Sequence, residues 1–236
     1  MRRSASSSVA VPAAFLFALL LAGCAQQAGP PASTSGSPAT STTSATPSPT
    51  ATASVWMKYT TMDGTLTFDL PAAWDVTEPA GELAEGGGTF AEISNAAGKT
   101  LASLRTNMAT GSTCIDRYPY EVLESQELTA LAQNGAAPRY VFETRGNATT
   151  PGPADTPAAA YGITSVPAPT GDSACYMFHF FTWPPNAAMF GAFYNPENNV
   201  TPGDASLPYL ENAKLYMDTP EYRDIKRMIT SLRPAS

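Results

Sequence analysis

A chain of 236 residues with only 14% charged residues and a formal charge of −7 has too few cations for a nucleic-acid surface. Phosphate binding needs a clustered basic footprint, and after the opening arginines the lysines, Lys58, Lys99, Lys214 and Lys226, are scattered along the chain. An acidic domain also gains nothing from anionic headgroups, so the composition excludes nucleic acid as a partner and a domain lying flat on the membrane.

Residues 1–23 have the three regions of a secretory signal: Arg2 and Arg3, an apolar stretch from Val9 to Leu21, and small residues before a cysteine. The apolar stretch falls short of the ~20 residues of a spanning helix, so the segment is expected to target the chain and then be removed. Leu21-Ala22-Gly23-Cys24 resembles the lipobox of bacterial lipoproteins, which implies lipid on Cys24 and a new N-terminus there. Attachment through two or more acyl chains is stable where one would be marginal. Removal of residues 1–23 takes away two arginines and no acid, moving the formal charge from −7 to −9. The expected location is the outer face of the cytoplasmic membrane, lipid-anchored and exposed to the cell wall.

Residues 25–54 contain only Ala, Gln, Gly, Pro, Ser and Thr. Such a stretch has almost no apolar surface to repay the entropy of ordering, so residues 24–54 read as the lipidated cysteine followed by a disordered tether. As a flexible coil its reach is roughly 30 Å, and its Ser/Thr-Pro density offers sites for O-glycosylation. Residues 55–236 then have the length and apolar content of one soluble domain.

Of the three cysteines, Cys24 is committed to lipid, which leaves Cys114 and Cys175 to form a disulfide in an oxidising compartment. No C-x-x-C spacing is present, which argues against redox catalysis.

Within the domain, runs 56–61 and 65–70 flank Met62-Asp63-Gly64 and predict a hairpin turning at Asp-Gly. Leu66, Phe68 and Leu70 alternate with polar residues, so one face of the second strand is buried until Pro71 ends it, and Trp74 is expected to cap the sheet edge or core. Further strands are predicted over 89–94, 100–107, 118–125, 139–144, 159–166, 175–183 and 189–194, with a strand passing into a short helix over 124–133. Tyr176-Met177-Phe178-His179-Phe180-Phe181 is apolar on both alternating faces, as in a central strand covered on each side. A C-terminal helix is predicted with Asp218 as N-cap, Pro220 in the first turn, Glu221 completing a capping box, and a stripe of Tyr222, Ile225, Ile229 and Leu232. Lys226, Arg227 and Arg233 suit its C-terminal dipole, and Pro234 stops it.

Two stretches resemble a known family. Asp63-Gly64-Thr65-Leu66-Thr67-Phe68-Asp69-Leu70-Pro71 with Trp74, and Thr219-Pro220-Glu221-Tyr222 leading to Ile225, Met228, Ile229 and Ser231-Leu232, look like the opening hairpin and closing helix of actinobacterial lipoproteins with a Mog1/PsbP-like domain, the LpqN type among them. The resemblance covers about twenty residues at the two ends of the domain. It implies an α+β fold, an antiparallel sheet covered by helices in an α/β/α sandwich with the C-terminal helix packed on the sheet, and a generally non-enzymatic binding or accessory role.

Few residues point to chemistry. His179 is the only histidine and sits between Met177 and Phe181 on its strand face, the pattern of a neutral core imidazole. Gly171-Asp172-Ser173 lacks a G-x-S-x-G elbow and reads as a turn. Glu197, Asn198, Asn199 and Asp204 supply calcium-type oxygens without EF-hand spacing, so no metal site is expected. The chain therefore reads as a non-enzymatic envelope module without a cofactor, contacting an apolar ligand or a partner protein, with Trp183, Phe190, Phe193 and Tyr194 as candidate contacts. The alternative is a cell-wall hydrolase using a carboxylate pair that only the fold would assemble.

Overall fold

The opening hairpin joins strands β1 (Trp56–Thr60) and β2 (Leu66–Pro71), with Gly64 at φ 70° taking the positive backbone angle of the turn. In this computed structural model the described residues are 55–79, 87–111, 114–146, 157–203 and 206–236, so the expected signal segment, Cys24 and the expected tether lie outside them. Among the described residues no helix is long and apolar enough to cross a membrane.

The main sheet follows in chain order: β3 (Asp75–Thr77), β4 (Phe90–Ser94), β5 (Thr100–Met108), β6 (Tyr118–Glu127), β7 (Arg139–Arg145), β8 (Ala158–Thr164), β9 (Ser173–Ala174), β10 (Phe181–Trp183) and β11 (Asn186–Phe193). Its order in space is β3-β4-β5-β11-β8-β7-β6-β9, with β10 paired to β11 and every pairing antiparallel. A short 3-10 turn, Thr129–Leu131, follows β6 as the strand-then-helix spacing predicts. Helices α1 (Tyr209–Tyr216) and α2 (Pro220–Thr230) come last, and β12 (Arg233–Pro234) returns to pair with β2. The domain is α+β, mostly antiparallel sheet, with the C-terminal helix packed on it.

Helix α2 buries Tyr222, Ile225, Met228 and Ile229, and Leu232 follows them into the core. Leu66, Phe68 and Leu70 meet this stripe from the hairpin side, all at most 1% exposed. The cap differs by one residue from the expected one. Thr219, not Asp218, accepts a hydrogen bond from the Tyr222 amide at 3.0 Å, while Glu221 accepts from Tyr216 and from Asn95 instead of closing a capping box. Helix α1 is not signalled in the sequence because Pro208 precedes it without a side-chain cap and it is only eight residues long.

The helix side of the sheet is sealed by tyrosines. Tyr140 donates to the Tyr222 hydroxyl at 3.1 Å, Tyr222 to Glu124 at 2.6 Å, Tyr216 to Glu221 at 2.9 Å, and Tyr161 to the Leu101 carbonyl at 2.7 Å. Burial pushes the phenols of Tyr140, Tyr161, Tyr216 and Tyr222 well above their ordinary range. This face is closed.

The opposite face carries the main departure from the sequence pattern. Residues 175–180 form no strand; they cross the outer face of β8, where Met177 closes over Ala158 and Ala160. Apolar residues on both sides of the segment mark a cover lying between sheet and surface, while the strand buried on both faces is β8, every residue of which is buried. A helix was expected on this side, and an extended strap stands there instead.

Candidate functional site

Strand β7 alternates Arg139, Val141, Glu143 and Arg145 on the outer face with Tyr140, Phe142 and Thr144 on the helix side. Two charges thereby enter a buried layer: Glu143 and Arg145 are each 4% exposed. They survive there because they are paired. Arg145 donates from a terminal nitrogen to Glu143 Oε2 at 3.1 Å and to the Thr144 carbonyl at 2.8 Å, and from Nε to the Cys175 carbonyl at 2.6 Å. His179 Nε2 lies 3.1 Å from Glu143 Oε1, so both oxygens of the carboxylate are engaged. Burial alone would raise the Glu143 carboxyl, but the His179 hydrogen bond and the adjacent Arg145 charge outweigh it and hold the group below its ordinary range.

The strap from Ser165 to Phe181 arches away from this cluster over a partly open cavity of about 790 Å³, within the size range of small-molecule sites. Glu143 and Arg145 lie in its floor with Thr164 and Ala187, and Arg117, Arg139, Pro167 and Phe180 are among its walls. The strap is tied down along its length. Arg139 donates to the Val166 carbonyl at 3.2 Å, Tyr120 to the Pro169 and Gly171 carbonyls at 3.2 and 3.1 Å, and Arg117 to the Ser173 carbonyl at 2.5 Å. A disulfide joins Cys175 to Cys114, with the two Cα atoms 5.3 Å apart. Four ties, from Arg139, Tyr120, Arg117 and the disulfide, therefore hold the strap in place over the cavity.

A smaller recess of about 240 Å³ lies on the other side of residues 176–180 and is bordered by His179, Met177, Met189 and Phe193. Tyr176, Phe178 and Phe180 border both spaces, so the Glu143–His179 hydrogen bond bridges their common wall. Beneath it β8 and β11 approach closely: Gly162 pairs with Gly191, and a Cβ on Gly162 would stand 3.0 Å from His179 Nδ1.

No protein-family model, no curated protein and no solved structure matches the chain.

The four aromatics singled out by sequence are not brought together. Phe190 is fully buried against Phe68, and Tyr194 is buried on Tyr209 and Tyr216. Trp183 packs half-buried at the edge of the core beside the cis Pro184–Pro185 bond. Phe193 alone is open, 51% exposed, and its ring lies 6.2 Å from that of Tyr176, itself 43% exposed. His179 is held near the core as its neighbours suggest, yet with a carboxylate partner. Ser173 accepts from Arg117 Nε at 3.3 Å, within the strap. Asn199 is buried and donates to Tyr216, whereas Asp204 lies outside the described residues. Among the described residues no group of three or more His, Cys, Asp or Glu side chains could hold a metal ion.

Sequence reasoning passed over Glu143, Arg145, Arg139 and Arg117. The available signal was three charged residues, Arg139, Glu143 and Arg145, all at odd-numbered positions and so on one face of a strand, in a chain with so few charges.

Proposed function

We propose that this is a cell-envelope lipoprotein whose domain is a non-catalytic binding module, with the cavity under the strap at 165–181 as its ligand site. The observation that carries this reading is the preformed cavity of about 790 Å³, held open by a disulfide and by arginine bonds to strap carbonyls. Preorganised walls reduce the ordering cost of binding. The lipobox at Leu21-Ala22-Gly23-Cys24 supports display at the membrane, and the disulfide suits an oxidising compartment. The two stretches that carry the resemblance to Mog1/PsbP-like lipoproteins pack against each other, with Ser231 Oγ accepting from the Asp69 amide at 2.7 Å.

A binding role is favoured over a glycan hydrolase because Glu143 is the only carboxylate among the described residues lining the cavity, and both its oxygens are bound. A glycosidase needs two carboxyl groups about 5 to 10 Å apart across the scissile bond, one of them kept protonated. Glu143 is biased the opposite way.

Native mass measurement of the chain purified from its host tests the proposal. A retained small molecule lost on mutation of the cavity wall is expected. A chain of bare mass that also takes up no apolar probe overturns it.

A further inference from the structure

The charge of the cavity wall runs against the charge of the chain. Of the seven arginines downstream of the signal segment, Arg117, Arg139 and Arg145 line this one space, against the single carboxylate Glu143. Arg145 and Glu143 neutralise one another in the floor. Arg117 and Arg139 remain, at opposite ends of the β6–β7 ribbon, in which Tyr120 pairs with Arg145 and Glu127 with Arg139. Arg117 is exposed, while Arg139 is half-buried against the strap, in a protein whose overall charge is −7. Each carries five N–H donors and the strap carbonyls take only some of them: Arg139 bonds Val166 and Arg117 bonds Ser173. A planar guanidinium with donors to spare, set beside a partly dried wall, is suited to a carboxylate or phosphate in two-point contact. The rest of the enclosure is of another kind, with Val166, Pro167, Phe178, Phe180 and Phe181 giving a wall without charge.

Resting on the reading of this cavity as the ligand site, we propose that it takes an amphiphile: a carboxylate or phosphate head held by Arg139, and an apolar body lying along the proline and phenylalanine wall beside it. An acidic protein repels free anions at a distance, so the apolar body is what brings the ligand in, and Arg139 decides which amphiphile stays. The arrangement excludes an alkyl cation, which would meet uncompensated guanidinium charge, and disfavours an uncharged alcohol, which would leave that charge without a partner.

The test uses the full chain in zwitterionic nanodiscs, with empty nanodiscs as the blank, and calorimetric titration of octyl phosphate, octanoate, octanol, octyltrimethylammonium and inorganic phosphate. Octyl phosphate and octanoate are expected to bind about 10-fold or more tightly than octanol and the cation, with inorganic phosphate weaker still. Arg139→Gln is expected to weaken both anions about 3- to 10-fold and to leave octanol unchanged, which also shows the cavity is intact, whereas Arg117→Gln, at the far end of the ribbon, changes neither. Arg139→Lys keeps the charge and restores part of the affinity. Equal binding of all four octyl probes sinks the anionic-head assignment while leaving the cavity as a ligand site. Inorganic phosphate binding as tightly as octyl phosphate overturns the amphiphile and makes the site one for a free anion. No binding of any probe removes the ligand site itself and this inference with it.

Discussion

His179 Nε2 stands 3.1 Å from Glu143 Oε1, while the other oxygen of the same carboxylate receives Arg145. The two residues come from the strap and from the centre of the sheet, so this bond fastens the cover to its floor. Its members differ in what their loss exposes. Glu143→Ala leaves Arg145 as an uncompensated charge, 4% exposed, and is expected to cost ~3 to 5 kcal/mol. His179→Ala leaves the Glu143–Arg145 pair in place and is expected to cost ~1 to 2 kcal/mol. Urea unfolding of the two variants measures the order; a larger loss for His179→Ala contradicts it.

The same carboxylate gives a pH dependence with a definite sign. Glu143 is held below its ordinary value near 4.5, so the unfolded chain binds its proton before the folded one does. Stability from this group is therefore fully present above that ordinary value and is lost as pH falls through the lower folded value. Between about pH 5 and 3 the melting temperature of the native chain is expected to fall more steeply than that of Glu143→Gln. Parallel slopes exclude the contribution.

Reduction of the Cys114–Cys175 bond releases the strap at one end. The two cysteines are 61 residues apart, and closing a loop of that size removes unfolded-state entropy worth about 4 kcal/mol. Only part of the fold depends on the strap, because β7 and β8 are paired along their whole length. Cys114→Ser with Cys175→Ser is expected to lower the urea midpoint and to speed amide exchange over 166–175 more than in β8. Uniform acceleration across both would show that the strap and sheet open together.

Much of the fold is written in local patterns. The hairpin at Gly64, the alternation of Leu66, Phe68 and Leu70, and the stripe of α2 each obey one period over several residues, which is why they are legible. The strap is not legible for the same reason. Residues 175–180 are apolar on both sides because they lie against a sheet and border cavities, a state that period-2 reasoning cannot tell from a central strand. The site was missed with it, since Glu143 meets His179 across 36 residues and Arg117 meets Ser173 across 56. Small residues could have hinted at the close layer: the Ala158-Ala159-Ala160 run and the Gly162–Gly191 pair leave room for the strap.

That pair makes its own prediction. A Cβ on Gly191 would fall 2.2 Å from the Tyr161 carbonyl oxygen and 2.6 Å from the Gly162 Cα, both backbone atoms that cannot swing aside. Gly191→Ala is expected to be among the most damaging single-methyl changes in the domain, above the ~1 to 3 kcal/mol usual for overpacking. Gly111→Ala, where the added atom meets nothing within 4 Å, is the control. Equal melting temperatures for the two variants would mean that β8 and β11 separate without cost.

The C-terminal helix closes the domain and offers the sharpest contrast between neighbours. Ile225 is completely buried against the hairpin strand, whereas Asp224 beside it is half-buried with its carboxyl raised by that burial. Deleting a buried isoleucine to alanine costs ~2 to 5 kcal/mol through lost transfer energy and the cavity left behind, out of a whole-domain stability of ~5 to 15 kcal/mol. Ile225→Ala should therefore lower the melting temperature by several degrees, while Asp224→Ala does little. The helix is also tied beyond its last turn. Ser231 and Arg233 both bond Asp69, and β12 adds its backbone pairs to β2, so truncation removes the packing stripe and an edge strand together. A chain ending at residue 218 is expected to lose the cooperative transition of the full chain, since Leu66, Phe68 and Leu70 would then face water. An unchanged transition in that truncated chain would make the helix a passenger and the tyrosine layer beneath it self-sufficient.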